Sequence, residues 1–150
     1  LMEITKANFE DLPQILNLQK TAYLSEAKLL NNYSIQPLTQ TLEEVENEFP
    51  KKIILKLTDD KNNEIIGSVR SYEENGCVYV GKLMVHPDYQ NKGLGSSLLK
   101  AIESYYQNKT FELYTSSKSE KNINLYKKNG YKEFKREKAT DDLEMVFFKK

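Results

Sequence analysis

Apolar and polar positions change period along the chain and divide it into short elements. Met2 to Lys6 reads as a strand. Phe9, Leu12, Ile15, Leu16 and Leu18 then recur at helical spacing up to about Tyr23. Asn8 is placed to cap that helix, and Pro13 falls early enough in it to be tolerated. Ser25 to Gln40 shows no period and carries Asn31-Asn32 and Pro37 as breakers, so it reads as irregular. Thr41 opens T-L-E-E, a capping-box pattern that predicts a helix to about Phe49. Lys52 to Thr58 and Glu64 to Tyr72 read as strands joined by the polar turn Asp59 to Asn63. After the Asn75-Gly76 turn, Cys77 to Val85 completes a meander. A helix after Gly93 puts Leu94, Leu98, Ala101, Ile102 and Tyr105 on one stripe. Phe111 to Thr115 is a strand, Ser119 to Lys128 a helix closed by Asn129-Gly130, and Tyr131 to Arg136 with Glu144 to Phe148 a final strand pair.

That order, β-α-α-β-β-β-α-β-α-β-β, predicts one mixed α/β (α+β) domain over residues 1–150, without repeat or linker. The helix between the strands ending at Val85 and starting near Phe111 permits those two strands to run parallel. Splayed apart beside a helix N-terminus, they would leave a cleft. The segment L-M-V-H-P-D-Y-Q-N-K-G-L-G-S-S-L-L, Leu83 to Leu99, is the most specific in the chain. A strand, a glycine-bearing turn and a helix N-terminus together expose unpaired N–H groups at the positive end of a helix dipole. Gly93 and Gly95 lack Cβ atoms and Lys92 adds a charge, so the turn predicts a phosphate-bearing ligand.

Composition narrows the classes. Lys and Arg number 22 against 22 Asp and Glu, which argues against a nucleic-acid binder. The basic residues Lys127, Lys128, Lys132, Lys135 and Arg136 are interrupted by Glu133 and Glu137 and read as a solvated face. Cys77 is the lone cysteine, read as a small buried hydrophobe, and His86 the lone histidine, read as a turn residue. Neither can build a multi-cysteine or histidine metal cluster. No run is long and apolar enough for a membrane span and no signal-peptide pattern opens the chain, which points to a cytoplasmic setting.

V-H-P-D-Y-Q-N-K-G-L-G, Val85 to Gly95, resembles the acyl-CoA signature of the GNAT-type N-acetyltransferase superfamily, Q/R-x-x-G-x-G/A after a strand ending in V-x-P. S-E-K-N-I-N-L-Y-K-K-N-G-Y, Ser119 to Tyr131, resembles its C-terminal helix block. The resemblance covers nearly the whole chain and implies the GNAT fold, a mostly antiparallel sheet splayed at a central parallel pair and flanked by helices. It implies acetyl-CoA as acyl donor, no metal, and a primary amine of a small molecule or peptide as acceptor, and it leaves room for a homodimer. By resemblance, the backbone of Leu83, Met84 and Val85 holds the pantetheine arm. Gln90 shapes the turn, and Asn91, Lys92, Gly93, Leu94, Gly95 and Ser96 surround the pyrophosphate. Tyr126 falls on the family's tyrosine, which can protonate the departing thiolate. Ser119 stands at a CoA-contacting asparagine, and Asn122 one turn before Tyr126 faces the same cleft.

Direct attack on the thioester also needs an oxyanion donor, for which Val85 N–H is the candidate, and a base. The base is where the pattern departs: no acid lies on C-V-Y-V-G-K-L-M-V, and Tyr114 stands where many relatives have glutamate, with Glu112 on the opposite parity. A water chain to Glu73, Glu74 or Tyr114, or an amine arriving neutral, both remain open. Tyr23, Tyr33, Tyr72 and Tyr79, with Tyr114, are candidates to line the acceptor pocket, which by resemblance is covered by Asn31 to Gln40 and the adjoining helix. Glu26, Glu43 and Glu44 read as solvated charges. A non-catalytic acyl-CoA-binding domain of the same fold is the alternative. A nucleotide-phosphate binder is disfavoured, because Lys92 is followed by Gly93 rather than Ser or Thr.

Overall fold

The computed structural model describes residues 1–150. In chain order the elements are β1 (Met2–Lys6), α1 (Leu12–Ala22), α2 (Leu24–Leu30), α3 (Gln36–Thr39), α4 (Leu42–Glu48), β2 (Ile53–Asp59), β3 (Glu64–Glu74) and β4 (Cys77–Val85). They continue with α5 (Leu94–Glu103), β5 (Thr110–Ser116), α6 (Glu120–Lys128), β6 (Lys132–Thr140) and β7 (Leu143–Lys149). Seven strands form one sheet in the order β1-β2-β3-β4-β5-β7-β6. Every neighbouring pair is antiparallel except β4 and β5, which run parallel as the crossover through α5 permits. This is the mixed α/β architecture expected from the element order.

Helices cover both faces. Leu55, Leu57, Val69, Val78 and Val80 pack with Leu98, Leu99 and Ile102 of α5 and Tyr126 of α6 in one core. Ile54, Ile65 and Met84 pack with Leu12, Ile15, Leu16 and Leu18 of α1 and Val45 of α4 in the other. A strand with helices on both faces must be apolar in both parities, which is why β3 is buried continuously from Ile65 to Ser71. No helix is long and apolar enough to cross a membrane.

Several expectations change. Residues 25–40 are not irregular throughout: α2 occupies the first part and a single helical turn, α3, the second. Ala27 is fully buried, and that tertiary contact holds a helix whose sequence shows no period. Asn31, read as a breaker, does end α2, in the left-handed region at φ 50°. Tyr105, placed on the α5 stripe, lies beyond the end of the helix and is 41% exposed. β6 runs to Thr140 rather than Arg136, because β7 supplies a hydrogen-bonding partner along that whole length while β6 itself is exposed on both faces.

Candidate functional site

β4 and β5 pair only at Cys77–Thr110, Val78–Phe111 and Tyr79–Glu112, and then part. β4 meanwhile stays on β3 as far as Val85. From Val80 onward, one edge of β4 therefore has no strand beside it. Antiparallel alternation decides which groups line that open edge. His86 N–H donates to Ile66 O at 2.7 Å, so His86 and, two residues earlier, Met84 turn towards β3. Leu83 and Val85 turn their N–H and C=O into the gap, where Val85 O accepts from Gln90 Nε2 at 3.2 Å. Met84 differs from its two neighbours, with its backbone laddered to Ser68 and its side chain in the α1 core.

The turn that follows closes the gap at one end. His86 is a turn residue, as read: its Nδ1 accepts from Asp88 N–H at 3.1 Å and opens the 3-10 turn Pro87–Tyr89. Gln90 reaches back to Val85 and accepts from Lys121 Nζ of α6 at 2.5 Å, so one side chain ties turn, strand and helix together. Asn91 and Gly93 both have positive φ, 63° and 76°, and reverse the chain into α5. Lys92 lays its Nζ over the Tyr89 ring at 5.4 Å. The first helical bond runs from Ser97 N–H to Gly93 O, leaving the N–H groups of Leu94, Gly95 and Ser96 without intrahelical acceptors. A Cβ on Gly93 would meet nothing within 4 Å, so its backbone is open to a ligand. Gly95 has a different reason to lack a side chain: a Cβ there would stand 3.1 Å from Leu125 Cδ2, so Gly95 lets α6 lie against α5. Leu94 packs on the core, and Ser96 Oγ accepts from Asn129 Nδ2 at 3.0 Å.

α6 brings Ser119, Asn122 and Tyr126 to the same region. Ser119 is buried at the N-cap, and Asn122 Nδ2 donates to Thr115 Oγ1 of β5 at 3.2 Å. Tyr126 is 6% exposed, with its ring 5.7 Å from Phe148 and 6.2 Å from Tyr131. Its hydroxyl has no hydrogen-bond partner. Burial, with Tyr23, Glu26 and Tyr114 nearby, pushes the phenol well above its ordinary range, so it carries its proton at any physiological pH.

Across the gap, Tyr72 and Tyr79 are register partners and stack at 5.1 Å. Tyr114 is 60% exposed and lies 5.3 Å from Phe147, while Tyr33 stands exposed on the α2–α3 connection. Tyr23, at the α1–α2 junction, is buried enough to hold its phenol above the ordinary range. Glu43 and Glu44 are exposed, and Glu44 serves the Thr41 capping box. Glu26 does not behave as a solvated charge: burial raises its carboxyl, and that charge acts on both Tyr23 and Tyr126. Glu73, by contrast, is held by Lys109 at 2.8 Å. Cys77 is partly exposed rather than fully buried; its Sγ donates to Glu112 Oε2 at 3.4 Å, and burial foremost pushes the thiol up.

Two residues that sequence reasoning passed over stand at this site. Lys82 has φ 49° within a β-bulge, where Ser68 pairs Met84 but Arg70 pairs Gly81. Burial, and next the charge of Arg70, lowers its ammonium to about 8. Arg70 is 1% exposed and donates through Nη1 to Gln40 Oε1 and Glu48 Oε2, both at 3.2 Å, and through Nη2 to Gln19 Oε1 at 2.6 Å. Burial opposes the charge on Glu48, but the Lys52 hydrogen bond and the Arg70 charge outweigh it and hold the carboxyl below its usual range. The signal was present in the sequence as single cations inside apolar strands, Arg70 in I-I-G-S-V-R and Lys82 in V-Y-V-G-K-L.

The model of the acetyltransferase (GNAT) family matches residues 12–131. Among solved structures, the PaiA N-acetyltransferase of Thermoplasma acidophilum in complex with coenzyme A superposes with a TM-score of 0.79. It is 19% identical, with 98% of each chain covered. The ribosomal-protein-S18-alanine N-acetyltransferase of Escherichia coli gives a TM-score of 0.80 at 17% identity, over 99% of this chain and 92% of that one. A curated relative, the UPF0157 protein YqkA of Bacillus subtilis, is 26% identical over 137 residues, 90% of this chain. The chain spans 38% of that relative's length.

Proposed function

The chain belongs to the acetyltransferase (GNAT) family, and from that premise we propose that it transfers an acetyl group from acetyl-CoA to a primary amine. The observation that carries this reading is the open edge of β4, which runs directly into the unpaired N–H groups at the start of α5. An extended pantetheine arm fits beside Leu83 and Val85 as an added strand, and a pyrophosphate fits over the backbone from Asn91 to Ser96. That the Thermoplasma relative was solved in complex with coenzyme A supports coenzyme A as the ligand. Met84 contributes to this edge by fixing its orientation, and Ser119 and Asn122 line its α6 side.

In the reaction a neutral amine attacks the thioester carbonyl, the N–H of Val85 donates to the oxygen that becomes negative, and the C–S bond breaks. Tyr126 gives its proton to the departing thiolate; a phenol held above its usual range remains a proton donor at neutral pH. Glu26 takes the proton lost by the attacking amine. It is the acidic side chain whose charge reaches both Tyr23 and Tyr126, and a raised carboxyl is a stronger base than a solvated one. Tyr72, Tyr79 and Tyr114 form the wall against which the acceptor lies.

Two measurements test this. Calorimetry should give binding of coenzyme A and none of ATP. Thiol release from acetyl-CoA should then depend on an added amine. Tight coenzyme A binding with no release across a broad amine panel would identify an acyl-CoA sensor instead, a reading that the burial of Tyr126 in the core keeps in play.

A further inference from the structure

Three cations, Arg70, Lys52 and Lys82, surround one carboxylate, Glu48, and the charge of Arg70 also reaches Tyr23 at the α1–α2 junction. That carboxylate is fully engaged. Its Oε1 accepts from Lys52 at 2.6 Å, and its Oε2 accepts from Arg70 at 3.2 Å and from Gln40 at 2.5 Å. Lys82 is left over: it makes neither a hydrogen bond nor an ion pair, although the bulge at φ 49° holds its side chain partly buried beside Arg70. Arg70 Nε is likewise buried with no acceptor. A partly buried ammonium whose one nearby carboxylate, Glu48, is already held by Lys52 and Arg70, next to a buried N–H without an acceptor, is costly unless something that comes and goes supplies further negative charge.

The position narrows what that something is. Lys82 lies on the unpaired stretch of β4, directly before Leu83, while Glu26 lies with Tyr23 and Tyr126. The site thus carries an acidic group and an unpaired cation as separate features. Three cations against one carboxylate leave positive charge in excess, which an anionic group on the acceptor would offset. We propose that Lys82, backed by Arg70, is the subsite for a carboxylate carried by the amine acceptor, so that the substrate class is the free amino acid rather than a simple amine. This rests on the acetyl-transfer reading, which places an acceptor here at all.

The experiment compares an amino acid, its primary amide and its decarboxylated amine as acceptors in the thiol-release assay. The expected result is a preference for the amino acid of roughly 10- to 100-fold in kcat/KM, the range of one charge-assisted hydrogen bond. In Lys82→Met the preference should collapse towards one, mainly through the acceptor KM, and Lys82→Arg should restore part of it. The wild-type protein offers a check that needs no variant. A 2-hydroxy acid of matching shape should inhibit competitively, and its inhibition should weaken roughly tenfold from pH 7 to pH 9 as the ammonium of Lys82 titrates. That ammonium faces Arg70 on β3, Glu48 on α4 and Lys52 before β2. Equal use of all three acceptors, or a loss in Lys82→Met of kcat alike for each, would overturn the carboxylate subsite and leave acetyl transfer standing. Coenzyme A binding without turnover of any acceptor would instead remove the acetyl-transfer reading and this proposal with it.

Discussion

Lys82 stores an unfavourable charge in the free protein. Its ammonium titrates near about 8 when folded and near the ordinary value of about 10.4 when unfolded. Between those values the unfolded chain binds more protons, so stability rises with pH across that window, and below it the whole penalty is present. Lys82→Met is therefore expected to be more stable than the parent at pH 7 by about 1–3 kcal/mol. The gain should shrink as pH rises from 8 to 10, read by urea unfolding at each pH. A gain independent of pH would put the cost in the backbone at φ 49° instead. Tyr126 makes the opposite case. Its hydroxyl has no partner, so Tyr126→Phe should change stability by less than about 1 kcal/mol. Turnover should still fall by roughly 10²-fold with coenzyme A affinity intact, as expected of a lost proton donor. Tyr126 could be singled out from sequence because it sits inside a contiguous motif. Lys82 showed in the sequence only as a lone cation in an apolar strand, and a one-residue bulge decides which way its side chain points.

The glycine turn and the two helices that flank the gap are read most easily as single elements, yet their fit is mutual. Gly95→Val would drive a side chain into Leu125 and is expected to destabilise the protein by about 1–3 kcal/mol. Leu125→Ala in the same chain should recover part of that loss, as thermal unfolding of the double variant would reveal. Loss without recovery would place the damage in the turn instead. On α4, Thr41 Oγ1 accepts from Glu44 N–H at 3.2 Å in a capping box legible from T-L-E-E. Thr41→Ala is expected to cost about 1 kcal/mol. α2 was missed for the reason α4 was found. Seven residues without a cap or a period carry no local signal, and only the burial of Ala27 makes them a helix.

At the scale of the molecule, Arg70 and Glu48 join β3 to α4, and Gln19 and Gln40 extend the network to α1 and the end of α3. Glu48→Gln would leave Arg70 buried without its ionic partner and is expected to cost about 3–5 kcal/mol near pH 7. The folded carboxyl of Glu48 is held below its ordinary value, so its contribution is complete above about 4.3 and is lost as pH falls through the folded value. Acid unfolding should accordingly be steeper in the parent than in Glu48→Gln, measured by circular dichroism between pH 2 and 5. The order of the strands, the helices other than α2 and α3, and the turn from Gln90 to Ser96 were legible in the sequence alone, which also permitted the parallel pairing across α5. Each rests on local period, a glycine or a cap, which act over a few residues. The tertiary structure alone decided the acceptor side. Glu26, Glu48, Arg70 and Lys82 come from four separate elements, and their charges acquire chemistry only when burial and the β4 bulge bring them out of water and beside one another.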